Sequence, residues 1–115
     1  MIRKANEMAV TECLNKLGGN GSVIQKEIVP KDMLIHGRFF NLMTLKKGCS
    51  IGQHTHHSEV EFYYVLSGEG IVTESDGEKK VCAGDVVITG DGQTHAIRND
   101  GDEDLVFTAY VATEA

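Results

Sequence analysis

Three of the chain's five histidines fall within four positions, His54-Thr55-His56-His57, and two glutamates follow at Glu59 and Glu61. Imidazole is the commonest neutral ligand of transition-metal ions, and a carboxylate beside it offsets part of a dication's charge. Side chains alternate between faces along a strand, so His54 and His56 would share one face about 7 Å apart while His57 points the other way. Glu61 shares its face with Tyr63 and Val65 in the next apolar run, and a hairpin would carry its carboxylate beside the imidazoles. Glu59 has the same parity and is its rival. A distant histidine, His95 in Thr94-His95-Ala96-Ile97-Arg98-Asn99, alternates with Ile97 and Asn99 on an inward-looking face, which turns Arg98 outward. Two imidazoles from one strand, a carboxylate from its neighbour and an imidazole from a far strand suit one divalent transition metal such as Mn, Fe, Ni or Zn.

The elements that must position these residues are strands. With 115 residues the chain has room for a single core. The apolar residues Met8, Val10, Cys13, Leu14 and Leu17 fall near helical spacing, and Gly18-Gly19 supplies a stop, so a short helix is expected within an N-terminal arm, residues 1–20. From residue 21 to residue 115 the chain reads as short β-rich runs between turns: SVIQKEIV, RFFNLMTL, VEFYYVLS, GIVTES, KKVC, DVVITG, THAIRN and DLVFTAYVA. Such a succession implies an all-β sandwich or barrel, with Asp76-Gly77 as a two-residue hairpin turn.

Composition narrows the function classes. Eleven basic against 17 acidic residues give a formal charge of -6, without the basic footprint that nucleic acid or an anionic membrane would require. No apolar run is long enough to span a bilayer, and the N-terminus lacks the apolar stretch of a signal peptide, so a cytoplasmic location is expected. Cys13, Cys49 and Cys82 have neither paired nor zinc-ribbon spacing and read as reduced packing residues.

The spacing also resembles a known family. Gly48, five residues, His54-Thr55-His56, four residues, Glu61, six residues and Gly68 follow the first motif of the cupin superfamily. Gly84, five residues, Gly90-Asp91-Gly92, two residues, His95, three residues and Asn99 follow the second, with Gly90 where the family usually has proline. The resemblance runs from about Gly21 to Thr113, and it is narrowest to small bacterial cupins often labelled oxalate-decarboxylase-like. It implies a double-stranded β-helix, or jelly-roll barrel, with His54, His56, Glu61 and His95 as metal ligands at its mouth, and it selects Glu61 over Glu59. His57 then becomes a surface or outer-shell residue, and Asn99 a brace for its turn.

Alternation makes Tyr63, Asn41, Met43, Gln53 and Ile97 the candidates to face a ligand, Tyr63 foremost. His36 has no partner in sequence, and Arg38 lies just before a strand, so its direction is not readable. VEFYYVL is apolar on both faces, and Val106 and Tyr110 make the last run apolar outside as well, so something must cover the outer face. A homodimer is expected. For function, the site suits a metal-dependent enzyme acting on a small oxygenated acid, with a small carboxylate as ligand. A non-catalytic metal or ligand-binding module is the alternative, and a sugar-phosphate isomerase or epimerase comes third, because the sequence assigns no cation to the interior. It likewise assigns no acidic lid residue or arginine of the kind oxalate decarboxylases carry.

Overall fold

A computed structural model of the chain describes residues Met1–Ala115. Ten strands follow one another: β1 (Val10–Leu14), β2 (Ser22–Val29), β3 (Gly37–Leu45), β4 (Ser50–Thr55), β5 (Glu59–Ser67), β6 (Glu69–Glu74), β7 (Gly77–Cys82), β8 (Val86–Thr89), β9 (Thr94–Arg98) and β10 (Leu105–Thr113). They form a six-stranded sheet in the order β1-β2-β3-β10-β5-β8 and a four-stranded sheet in the order β4-β9-β6-β7. Every pairing is antiparallel. From β3 onward the chain passes back and forth between the two sheets, the path of a jelly roll, as the resemblance implies.

The core lies between the sheets. Along β10 the residues Leu105, Phe107, Ala109 and Val111 are fully buried while the intervening ones are not, and β5 likewise buries Glu61, Tyr63 and Val65. This is the two-residue period of strands with one face on a core. The eight runs read from sequence correspond to β2, β3 and β5 to β10.

Three local expectations are corrected. The N-terminal segment forms no α-helix: after a 3-10 turn at Ala5–Glu7, Val10–Leu14 is a strand paired along β2 from Val10↔Lys26 to Leu14↔Ser22. A short isolated helix is marginal in water, whereas an edge strand satisfies its backbone on a sheet already present. The β6–β7 turn lies one residue earlier than Asp76-Gly77. Glu74 pairs with Gly77, leaving Ser75-Asp76 as the loop, and Gly77 alone of these takes a positive φ, +127°. Of the cysteines, all three are free, and Cys13 and Cys49 pack against the core, but Cys82 is exposed.

Two irregularities matter for the site. In the β4–β9 ladder Ile51 pairs with Ile97 and His54 with His95, three steps on one strand against two on the other, so β4 carries an extra residue. In the β3–β10 ladder Val111 faces Phe39 and Ala112 faces Gly37, which leaves Arg38 as the extra residue. Such bulges bend a strand and re-aim its side chains.

Candidate metal centre

His54 stands near the end of β4, His95 opposite it on β9, Glu61 on β5, and His56 in the connection just beyond β4. His56 therefore reaches the site from outside the strand that carries His54, held by backbone bonds of its N–H to the Gln93 carbonyl (3.1 Å) and of its carbonyl to the Gly92 N–H (2.6 Å). One ligand atom from each of the four residues lies within 4.8 Å of the other three. His56, Glu61 and His95 are buried, and His54 is partly open to the adjoining cavity.

The outer nitrogens explain why the inner ones converge. His54 Nδ1 donates to the Gly52 carbonyl (2.8 Å) and His56 Nδ1 to Glu59 Oε2 (2.5 Å), and His95 Nδ1 pairs with the Thr89 hydroxyl (2.7 Å). In the neutral rings those bonds leave the Nε2 atoms of His54 and His56 as acceptors, and that of His95 becomes one when Thr89 accepts from Nδ1. They face one another, with His54 Nε2 at 2.8 Å and His56 Nε2 at 3.1 Å from His95 Nε2, and Glu61 Oε1 stands 2.9 Å from the Nε2 atoms of both His56 and His95. Four lone-pair donors crowded together repel unless a cation lies among them, and imidazole with one carboxylate is a borderline-to-hard set that fits a divalent transition ion. Outer hydrogen bonds of this kind orient ligand imidazoles and raise their basicity.

The protonation states agree with that role. Burial by itself would raise the Glu61 carboxyl, but whenever the surrounding rings take up a proton, hydrogen bonds from His54 and His95 and the charge of His95 and His56 outweigh it, and in the metal-free cluster the group is held at about 2. Burial pushes His95 below the ordinary imidazole range, against the pull of Glu61. Near neutral pH the pair is thus an ionised carboxylate beside a neutral imidazole. Tyr63 stacks on His95 with ring centroids 4.9 Å apart, and burial, then the charge and hydrogen bond of Glu61, raise its phenol well above the usual tyrosine value.

A cavity of about 390 Å³ opens over the cluster. Tyr63 and Met43 line it, whereas the other sequence candidates lie elsewhere: Ile97 is in the core, Gln53 is exposed, and Asn41, half-buried between Glu27 and Ala109, is outside the lining. The extra residue in β4 is the reason for Gln53, because it lets Ile51 and His54 both face inward and turns the side chain between them out. His57 is exposed at the mouth and His36 is exposed in a turn with φ +52°.

Three charged residues of the lining were not placed there by sequence reasoning. Arg38, re-aimed by the β3 bulge, binds Glu59 through Nε (3.1 Å) and Nη2 (2.9 Å), and Lys16 reaches the lining from the N-terminal segment. The interior mouth therefore does hold cations, contrary to the reading of the sequence. Glu59 is the third. Its parity with Glu61 was the available signal, and instead of competing for the metal place it holds His56.

The Cupin domain family model matches residues 41–111 of the chain. The oxalate-binding protein of Thermotoga maritima is 35% identical over 112 residues, covering 96% of this chain and 93% of that protein. A crystal structure of a predicted oxalate decarboxylase from Thermotoga maritima superposes with a TM-score of 0.93 at 35% identity, covering 98% of this chain and 99% of that one. A cupin-superfamily sugar phosphate isomerase from Silicibacter pomeroyi shares the fold alone, with a TM-score of 0.73 at 19% identity over 90% of this chain and 71% of that one. A barrel whose two sheets bring the two histidine motifs to one point, matched over more than half its length by the family model, belongs to the cupin family.

Proposed function

We propose that the protein holds one divalent transition metal on His54, His56, Glu61 and His95 and binds a small carboxylate at the coordination positions left open toward the cavity. The observation that carries this reading is the convergence of three acceptor nitrogens and one carboxylate oxygen at the floor of a cavity lined by Arg38 and Lys16. A bound dication would supply Lewis acidity toward a ligand carboxylate. The chain's own residues orient the ligand set through Gly52, Glu59 and Thr89, keep Glu61 ionised, and narrow the approach with Met43 and Tyr63. Tyr63, its phenol kept protonated, is a hydrogen-bond donor beside the centre. The name of the oxalate-binding relative favours a second reading, binding without turnover. Incubating Mn-loaded protein with oxalate and assaying formate and carbon dioxide separates the two, since a binding module releases neither. Three free thiols support a reducing, cytoplasmic setting, and no helix is long and apolar enough to cross a membrane.

The metal-dependent rise in melting temperature is expected to shrink as the pH is lowered from 7.5 to 5. Glu61, held at about 2, stays ionised over that interval, so the loss comes from protons competing for imidazoles, which ordinarily titrate near ~6.5. The apoprotein should weaken in the same direction. His95 binds its proton less readily folded than unfolded, so its contribution is present above the unfolded value and is lost as the pH falls below it. Glu61 follows at lower pH, its contribution disappearing between 4.5 and about 2. Calorimetric melting with and without metal checks this, and an unchanged increment at pH 5 would count against histidine ligation.

The assembly is a homodimer through the outer face of the six-stranded sheet. Tyr64, Leu66, Val86 and Ile88 on β5 and β8 are each about half exposed, at 48, 47, 52 and 56%, and Phe62 stacks on Tyr110 beside them. An apolar patch of this kind is a signature of an interface. Sedimentation equilibrium at micromolar concentration should report a dimer, and Ile88→Glu should weaken it by about 2 kcal/mol, roughly 30-fold. A wild-type protein that sediments only as monomer rejects the interface.

A further inference from the structure

The segment from Asn15 to Gly21 is an unusual way to join two strands. Asn15, Leu17 and Gly18 all take positive φ, at 52°, 55° and 84°, and for leucine that conformation is strained. The turn is nevertheless fastened to β4. A Cβ at Gly52 would lie 2.0 Å from the Leu17 carbonyl oxygen, and one at Gly19 would lie 2.2 Å from the Ser50 carbonyl oxygen, so the two backbones touch where only glycine fits. The Ser50 N–H donates to the Asn20 carbonyl (2.9 Å), the Asn20 N–H to Ser50 Oγ (2.8 Å), and Asn15 closes the turn from within through Nδ2 to the Gly19 carbonyl (2.9 Å). What this fastening presents to the cavity is Lys16 and Leu17.

The two cations of the lining differ in their commitments. Arg38 gives its Nε–Nη2 edge to a bidentate pair with Glu59, which in turn holds His56, so its charge is already matched by a carboxylate. Lys16 is partly buried yet makes no ion pair, in a chain with 17 acidic residues. A lysine at a cavity wall without a carboxylate partner is matched to an anion that arrives from solution. The cavity, at about 390 Å³, lies within the ~300–1,000 Å³ of small-molecule sites and is larger than a two-carbon dianion fills.

We propose that Lys16 sets ligand specificity by pairing with the distal carboxylate of a dicarboxylate longer than oxalate, whose proximal carboxylate occupies the metal centre. This rests on the metal-centre reading above. The fastened turn fixes where the Lys16 side chain starts, so its reach to the metal centre limits the chain length of the ligand. The hydrogen bonds to Ser50 and the close backbone contacts at Gly19 and Gly52 hold the Lys16 backbone at the mouth against the strain at Leu17.

The test is isothermal calorimetry of acetate, oxalate, malonate, succinate and glutarate against Mn-loaded wild type, Lys16→Gln and Lys16→Arg, with Mn content measured in each. The wild type should bind one of the longer dicarboxylates more tightly than oxalate. Lys16→Gln should weaken that ligand about fivefold or more, the scale of a partly exposed ion pair, and acetate by clearly less, while Mn content is retained. Lys16→Arg should keep most of the affinity. Equal binding of every dicarboxylate by wild type and Lys16→Gln, with Mn retained in both, overturns this inference alone. A wild type that takes up no Mn overturns the metal-centre reading and this inference with it.

Discussion

Replacing His54 and His95 together by alanine is expected to abolish stoichiometric metal binding while leaving the barrel folded. The two residues face each other across the β4–β9 ladder with ring centroids 4.4 Å apart, and each has its outer nitrogen engaged, so neither can be replaced by a small movement of the other. Their removal leaves only His56 and Glu61. Loss of a single outer-shell partner commonly costs about 10- to 100-fold in metal affinity, so loss of two direct ligands should exceed the upper figure by far. The fold should survive because its core of Leu45, Val65, Leu105 and Phe107 lies between the sheets and draws its stability from apolar burial rather than from an ion. Elemental analysis after dialysis, with circular dichroism melting as the check on folding, measures both halves. A folded double variant that keeps one tightly bound ion per chain would remove the assignment. A wild-type apoprotein that is unfolded would instead make the metal a structural one.

Asn99→Ala should show the opposite pattern, a large loss of stability with metal affinity unchanged. Asn99 is wholly buried, and its Nδ2 donates to the carbonyls of Leu45 and Glu103, each at 2.8 Å, while its Oδ1 accepts the Gly101 N–H at 2.9 Å. Three backbone groups from the ends of β3 and the β9–β10 connection depend on this one side chain. Alanine would leave them unpaired, at about 1–3 kcal/mol for each that water cannot reach, and we expect a total near 3 kcal/mol. On a domain of this size that lowers the melting temperature by roughly 10 °C or more. The metal centre should not register the change, since Asn99 follows His95 by four residues and a strand advances about 3.3 Å per residue. Thermal melting paired with metal titration separates the roles, and a variant that kept its melting temperature but lost metal would show that Asn99 serves the site and not the corner.

The strand pattern was legible where strands are regular. β5 and β10 keep strict alternation, so Glu61, Tyr63 and Val65, and Leu105, Phe107 and Val111, could be placed inside from parity alone. The same rule misplaced Gln53, because it holds only while the ladder holds. The extra residue of β4 shifts the phase by one, which carries Ile51 inward, Gln53 outward and His54 back inward. The N-terminal segment misled for a related reason. Apolar residues at Met8, Val10, Cys13 and Leu14 satisfy a helical spacing loosely, and only the open edge of β2 decides that Val10–Leu14 extends and pairs.

What the sequence by itself determined is the barrel and the four residues, able to bind one metal, that meet at its mouth. His54, His56, Glu61 and His95 sit at spacings tied to two glycine-rich corners, and eight short β-rich runs imply an all-β sandwich or barrel, which the resemblance of those spacings to the cupin motifs narrows to the jelly roll. Only the tertiary structure decided which charges surround that set. Arg38 and Lys16 lie 16 or more residues from the nearest ligand in sequence, one aimed by a bulge and the other by a turn whose left-handed residues are held against β4. The positions of such side chains follow from where backbones from distant segments make contact, a long-range outcome that local spacing does not encode.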